Sequence, residues 1–439
     1  MSVQAHQPAK QTIMLSGLTA LVREASLGPR ASLFVSAGVV AHTLWTSAAP
    51  ALAYRIYADE WHLNHTVTTG IFAIYPVVVV LTLIGVGDIS DHIGRRATML
   101  MGLGASLAGT VLFAVAPDVL WLFAARALMG IGVGLTAGPS TAAVVAFATG
   151  DPSGNSSRRA ALIATVAQAA GFAAAFLVGG ALIAYAPWPT RLSFWVLAML
   201  VAALLAATWF LPRHTSTDMS VVWRPRLPFV PSNVRKTFAT ASVAMMTAYT
   251  HGVLILSLGG QVAHDLIGSP NALVNGAVLS LFAIVSGAVS IVARSLIART
   301  AMTLGAFASA AGMGLLAMAV ALHSLPIFLL ATAVAGAGYS LLFLSALQVI
   351  NTAAPAQHRG AVLSALYLLA YLSMGMVAIS LGIVATGWGL RLATDLGAGV
   401  IALLSLATLA LATAMRPSTA LPSPWHPLAP VPTREVNHA

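Results

Sequence analysis

The stretch Gly87-Asp88-Ile89-Ser90-Asp91-His92-Ile93-Gly94-Arg95-Arg96 decides how this chain folds. It gathers two glycines, two acids, a histidine and two arginines. Apolar runs flank it, residues 66–86 before and 97–116 after. Each is the length of a membrane-crossing helix, which needs roughly 20 residues. Acids and arginines are costly in hydrocarbon, so the charged knot reads as a tight loop at a membrane surface.

The rest of the chain agrees. Of 439 residues, 59% are hydrophobic and 7% charged, where a soluble domain has about a quarter charged. Lipid must surround most of such a chain. The apolar runs are continuous and do not alternate with period two, which selects helices over a β-barrel. The fold class is an all-α membrane protein with the bilayer as its first partner. The formal charge is +10, but the basic residues lie in short clusters between spans, so nucleic acid is excluded as a partner. The absence of cysteine removes disulfides, thiolate metal sites and cysteine nucleophiles. No metal-ligand cluster, nucleophile–base pair or phosphate-binding glycine loop stands out. Neither an enzyme nor an ATP-driven pump is expected, and no cofactor or metal.

Charge-free runs give twelve spans. The first six cover 32–54, 66–87, 97–116, 119–147, 160–184 and 192–212. The second six cover 237–260, 271–293, 300–322, 326–350, 361–387 and 396–414. Residues 1–31 form a polar tail without a signal-peptide pattern, carrying a short surface helix around Ser16–Glu24. Residues 213–236 form a polar linker between the halves, and 415–439 a proline-rich tail. With the N-terminus inside, 17 of the 21 lysines and arginines fall on inner segments; Arg55, Arg191 and Arg391 fall outside. That bias puts both termini in the cytoplasm of a bacterial-type inner membrane. The halves repeat at an offset of 206 residues. It aligns Arg126-x-x-x-Gly130-x-Gly132 with Thr332-x-x-x-Gly336-x-Gly338, Asp59 with Asp265, and Gly70 with Gly276. Two related six-helix bundles would place a binding site between them near the bilayer midplane.

On these residues the chain resembles the major facilitator superfamily of secondary transporters. Gly87, Asp91, Gly94, Arg95 and Arg96 match its loop 2–3 signature, G-x-x-x-D-x-x-G-R-R. Span 4 matches the looser pattern Arg126-x-x-x-Gly130-x-Gly132, and the second-half loop near Gly287–Arg299 keeps Arg294 and Arg299 but no acid. The resemblance implies twelve transmembrane helices in two pseudo-symmetric six-helix bundles. It also implies a conformational latch, in which Asp91 and its arginines hold the halves together when the protein opens outward. The plainer alternative is a basic loop that only sets topology. Gly94 would permit the sharp turn, and Arg95 and Arg96 would bind carboxylates or lipid phosphate.

Arg126 is the one basic residue inside a span. Intramembrane charge is functional by default, although snorkelling to the outer interface is open to it. No acid lies deep in any span, so backbone carbonyls, hydroxyls, water or an anionic substrate must satisfy it. The buried titratable groups are His42 and His251; the offset sets His251 opposite Trp45, one turn from His42. Both can face a central cavity and exchange protons, or each can rest neutral against a neighbouring helix. Gly171-x-x-x-Ala175-Phe176-x-x-Gly179-Gly180 resembles the family's antiporter motif with Ala-Phe in place of Gly-Pro. Its small residues, with Gly130 and Gly132, would allow close helix packing. Trp45, Gln168, Tyr249 and Tyr339, with Thr43, Tyr75, Tyr367 and Tyr371, are candidates to line the cavity.

The expected function is alternating-access transport of a small-molecule substrate by a monomer, with protons as coupling ion and export of drug-like or amphiphilic compounds. Uptake of a metabolite such as an organic anion is the alternative. A non-transporting membrane sensor or scaffold is the alternative of another class.

Overall fold

The computed structural model describes residues 26–86, 89–148, 156–212, 229–355 and 358–414. The expected helix at 16–24, Gly87, the side chain of Asp91, most of the linker and the C-terminal tail lie outside the described residues. Twelve described helices are long and apolar enough to cross a membrane. In hydrocarbon every backbone polar group must be paired within the chain, and a helix does this within one segment. In the first half these are α1 (Pro29–Ala48), α2 (His65–Val86), α3 (Arg95–Val115), α4 (Val119–Ala148), α5 (Ser156–Tyr185) and α6 (Leu192–Trp209). In the second they are α7 (Arg235–Gly252), α8 (Ala272–Val292), α9 (Ala298–Ala321), α10 (Leu325–Ala353), α11 (Arg359–Trp388) and α12 (Leu390–Ala414).

The halves are built alike. In the first, α1 packs on α4 and α5, α2 on α4, and α3 on α4 and α6. In the second, α7 packs on α10 and α11, α8 on α10, and α9 on α10 and α12. Two seams join them, α2 with α11 and α5 with α8. The repeated glycines do the same work twice. A methyl added at Gly130 would stand 3.0 Å from the Tyr75 carbonyl oxygen on α2; one at Gly336 would stand 2.6 Å from that of Phe282 on α8. Likewise Gly132 lies against Ser106 of α3, and Gly338 against Ser309 of α9. Small residues let helix backbones approach where lipid offers no hydrophobic drive.

Several helix ends differ from the charge-free runs, because rim helices carry charge. The last span begins at Leu390 rather than 396, with Arg391 and Asp395 exposed on its first turns. The first breaks after Ala48 and resumes as a short helix, Ala53–Trp61. The seventh continues past Gly252 as a π-helical turn, Val253–Ser257, and a second, Val262–Leu266, follows.

Candidate functional site

The break in α1 prepares a site for Arg126. Pro50 has no N–H, so the Thr46 carbonyl four residues earlier receives no helical hydrogen bond. The Ala51 N–H turns to Ala48, which leaves the Ser47 carbonyl free as well. Both carbonyls accept from Nη1 of Arg126 on α4, at 3.5 and 3.3 Å. The guanidinium is fully buried, 4.2 Å from the ring centre of Tyr75 and 5.9 Å from that of Phe72, both on α2. The buried Tyr54 hydroxyl lies beside it, but neither that oxygen nor Nε and Nη2 of Arg126 makes a hydrogen bond of good geometry. Arg126 therefore does not snorkel. It is a buried cation held by dipoles and ring faces.

Helix faces locate the space between the halves. On α5, Ala169 and Phe172 meet α8 and Thr165 accepts from Arg294 just beyond it, while Gly171 lies on Ala41 of α1. Gln168 sits on the narrow arc between these two faces and is exposed. Val166 and Leu177, exposed and apolar, take the wide opposite arc, which suits lipid. The same reading places two tyrosines of α11. Leu369, Leu372 and Met376 expose one face, Gly375 touches Val77 of α2, and Leu366 and Ala370 pack with Ala244 and Met245 of α7. Tyr367 and Tyr371 lie on the remaining arc, toward the first half. Tyr249 of α7 meets Tyr371 edge to face at 4.8 Å and lies 6.3 Å from Phe343 of α10, which stacks with Tyr339 at 5.9 Å. These rings, each partly exposed, form an aromatic wall at mid-helix.

The histidines do not share that space. His42 is buried with both ring nitrogens unpaired. It lies between Val39 and Trp45, which pack against Met99 and Leu103 of α3 and Leu197 and Val201 of α6. That stripe of α1 turns into its own half, and Trp45 with it. Thr43 bonds back to the Val40 carbonyl. Nδ1 of His251 pairs with the Thr247 carbonyl at 2.8 Å; Nε2 is unpaired. Its ring borders a small cavity, about 20 Å³, among Met313, Phe328, Thr332 and Thr394, inside the second half. Of the two readings open to these histidines, this packing agrees with each resting inside its own half: the offset matches chain position but not the outlook of the side chain.

At the end away from the α2–α3 loop, a set of polar contacts clasps the halves. Arg55 reaches both Asp59, at 3.2 Å, and Asp265, at 3.3 Å. These are the acids that the 206-residue offset pairs, so the repeat brings both to one arginine. His65 meets Gln261 at 2.8 Å, the Thr66 N–H and hydroxyl meet Thr386, each at 2.9 Å, and Asn271 donates to Tyr185 at 3.1 Å. A methyl at Gly382 of α11 would run into Thr69 of α2, and one at Gly180 of α5 would stand 2.6 Å from the Ala272 carbonyl oxygen. Gly179, expected to pack, has no atom within 4 Å of an added methyl.

A model of the Major Facilitator Superfamily matches residues 34–377. The chain belongs to this superfamily. One relative, the multidrug efflux pump LfrA of Mycolicibacterium smegmatis (strain ATCC 700084 / mc(2)155), is 31% identical over 138 residues, covering 31% of this chain and 27% of that protein. The match thus spans about a quarter of the relative's length. A crystal structure of nucleoside transporter NupG superposes with a TM-score of 0.72 at 13% identity, covering 88% of this chain and 100% of the other. Peptide transporter POT in complex with sulfate gives 0.69 at 17%, covering 87% and 94%. These last two establish the fold alone.

Within this superfamily fold the signature loop has a definite geometry. Gly94 caps α3 with φ of 89°, a conformation that side chains other than glycine resist. Arg95 donates to the Ala142 carbonyl of α4, at 3.5 Å, and Arg96 to that of Leu211, at 3.1 Å, with its guanidinium 5.5 Å from the Trp209 ring centre. Both contacts stay within the first half. Sequence reasoning missed the clasp, Phe343 and the carbonyls freed by Pro50. The aligned acids Asp59 and Asp265 and the proline itself were the available signals.

Proposed function

We propose that the protein is a secondary active exporter of drug-like or amphiphilic compounds, driven by a proton gradient and working by alternating access. The observation that carries this is the clasp. It joins the halves at one end, while Gln168 and the tyrosines of α7, α10 and α11 keep accessible surface farther along the helices. A transporter must close one end while ligand enters from the other. Polar and small-residue contacts suit a closure that has to reopen. The efflux activity named for the M. smegmatis relative supports export.

The positive-inside bias assigns the α2–α3 loop to the cytoplasm, so the clasp closes the outer end of an inner-membrane protein. The described carbonyl contacts of Arg95 and Arg96, to Ala142 and Leu211, lie on their own half. Asp91 would complete the latch in the opposite state. Proton coupling would draw on His42 and His251, buried titratable groups on α1 and α7 that each lie inside one half. A second reading, uptake of an organic anion, draws support from Arg126, whose Nε and Nη2 are unpaired.

The test is expression in a bacterial host stripped of its own exporters, with accumulation of fluorescent drug-like compounds measured. Export predicts lowered accumulation that a protonophore restores. Raised accumulation supports uptake instead. Unchanged accumulation of every compound, with the protein present in the membrane, contradicts transport and favours a sensor.

A further inference from the structure

We propose that the ligand held between the halves is a flat aromatic compound without a positive charge, stacked on the tyrosine wall of the second half. This rests on the reading of the protein as a transporter and names its substrate class.

Three observations carry it. The wall is not ordinary core. Some aromatic pairs in this protein are sealed: Phe113 and Phe194 stack at 4.5 Å and are 1% and 0% exposed. Tyr249, Tyr339, Phe343, Tyr367 and Tyr371 each keep accessible surface although they lie within spanning helices. Their face turns toward the first half, as the arcs of α11 require. Rings prefer to meet other rings edge to face or offset-stacked, so an exposed aromatic wall is complementary to a flat aromatic partner.

Secondly, the polar groups there suit substituents on such a partner. Tyrosine hydroxyls donate and accept hydrogen bonds, and the Gln168 amide across the gap does both. A planar heterocycle or a ring carboxylate finds partners on both sides of the gap.

Thirdly, the charge at this depth has one sign. Among the described residues, no acid lies in the middle of a spanning helix, and Arg126, eight residues into α4, is buried without a carboxylate. Tyr75, whose ring centre is 4.2 Å from the Arg126 guanidinium, is near enough to Tyr371 for the two hydroxyls to interact electrostatically. The guanidinium is thus one ring removed from the wall. Tyrosine faces attract cations, but a cation here would add an uncompensated positive charge near an existing one, in a medium that screens poorly. A neutral or anionic ring has the stacking without that penalty.

The experiment uses the full chain in phosphatidylethanolamine–phosphatidylglycerol nanodiscs. Three probes are titrated: anthracene-2-carboxylate, the cationic 2-(aminomethyl)anthracene, and saturated decalin-2-carboxylate. The anthracene acid should bind about tenfold tighter than the cation and about tenfold tighter than the saturated acid. Tyr339→Leu and Tyr371→Leu should each weaken it about fivefold, and Tyr339→Phe and Tyr371→Phe, which keep the ring and lose a hydrogen-bonding hydroxyl, about twofold. The comparison of probes on the unmodified protein stands even if a leucine variant does not fold. A cation that binds as tightly, a saturated acid that binds as tightly, wild-type affinity in folded leucine variants, or no binding of any probe would each overturn the inference. Gradient-driven transport is measured on the same preparation with non-aromatic compounds. If that flux persists while the probe results fail, the substrate class is wrong and the transport reading stands; if every flux fails, the transport reading falls.

Discussion

Gly382→Ala should release the clasp. The added methyl would run into the Thr69 hydroxyl and stand 3.1 Å from the His65 carbonyl oxygen on α2. The neighbouring hydroxyl of Thr66 bonds to the Gly382 carbonyl at 3.2 Å, so α11 cannot move aside without loss. Overpacking of this kind costs roughly 1–3 kcal/mol. The contact exists only while the halves meet at that end, so the cost falls on one conformation and not the other. It should shift the population away from the clasped state by roughly 5- to 150-fold. The chain has no native cysteine, so a single reporter can be added without background. Leu52→Cys is suitable: Leu52 is 7% exposed and lies against Gly260 and Gly276 of the second half. Its maleimide labelling should accelerate in the Gly382→Ala background in proportion to the unclasped population. Gly179→Ala is the matched control, since its methyl meets nothing within 4 Å. Equal labelling rates for Gly382→Ala and the parent, in protein of unchanged thermal stability, would refute the reasoning. So would a control that accelerates labelling as much.

Three further outcomes follow from the same geometry. Gly94→Ala forces a side chain into φ of 89°, at about 1–3 kcal/mol; its Tm in detergent should drop by several degrees, and an unchanged Tm would contradict the turn assignment. Arg126→Lys keeps the charge but loses the planar group that stacks on Tyr75; transport should drop about tenfold, as from a loss of about 1.4 kcal/mol, with stability retained, and wild-type transport would make Arg126 structural. Asp91→Asn should leave the protein folded at normal expression while turnover is impaired; normal turnover removes the latch.

The architecture was legible because its determinants are local. Apolar length and the charged loop at 87–96 give twelve helices, and Gly130 and Gly336 mark equivalent crossings that the packing repeats. The site was only half legible. Arg126 announced itself, since charge at that depth is rare. Its partners did not, because they are backbone carbonyls whose availability depends on Pro50 and the Ala51 turn. Side-chain outlook was the other blind spot. His42 and Gln168 look alike as lone polar residues in apolar runs, yet one turns into its own bundle and the other toward the gap. Which face a helix presents is fixed by all its neighbours at once, and α5 alone has two.

Uphill transport in proteoliposomes tests the central claim most directly. Purified protein is reconstituted, a proton gradient of either sign is imposed, and a radiolabelled drug-like compound is followed into or out of the vesicles. The expected result is movement against the compound's own gradient, opposite in direction to proton flow and abolished by a protonophore. Flux that only ever runs down the compound's gradient, or none above protein-free vesicles, would contradict it.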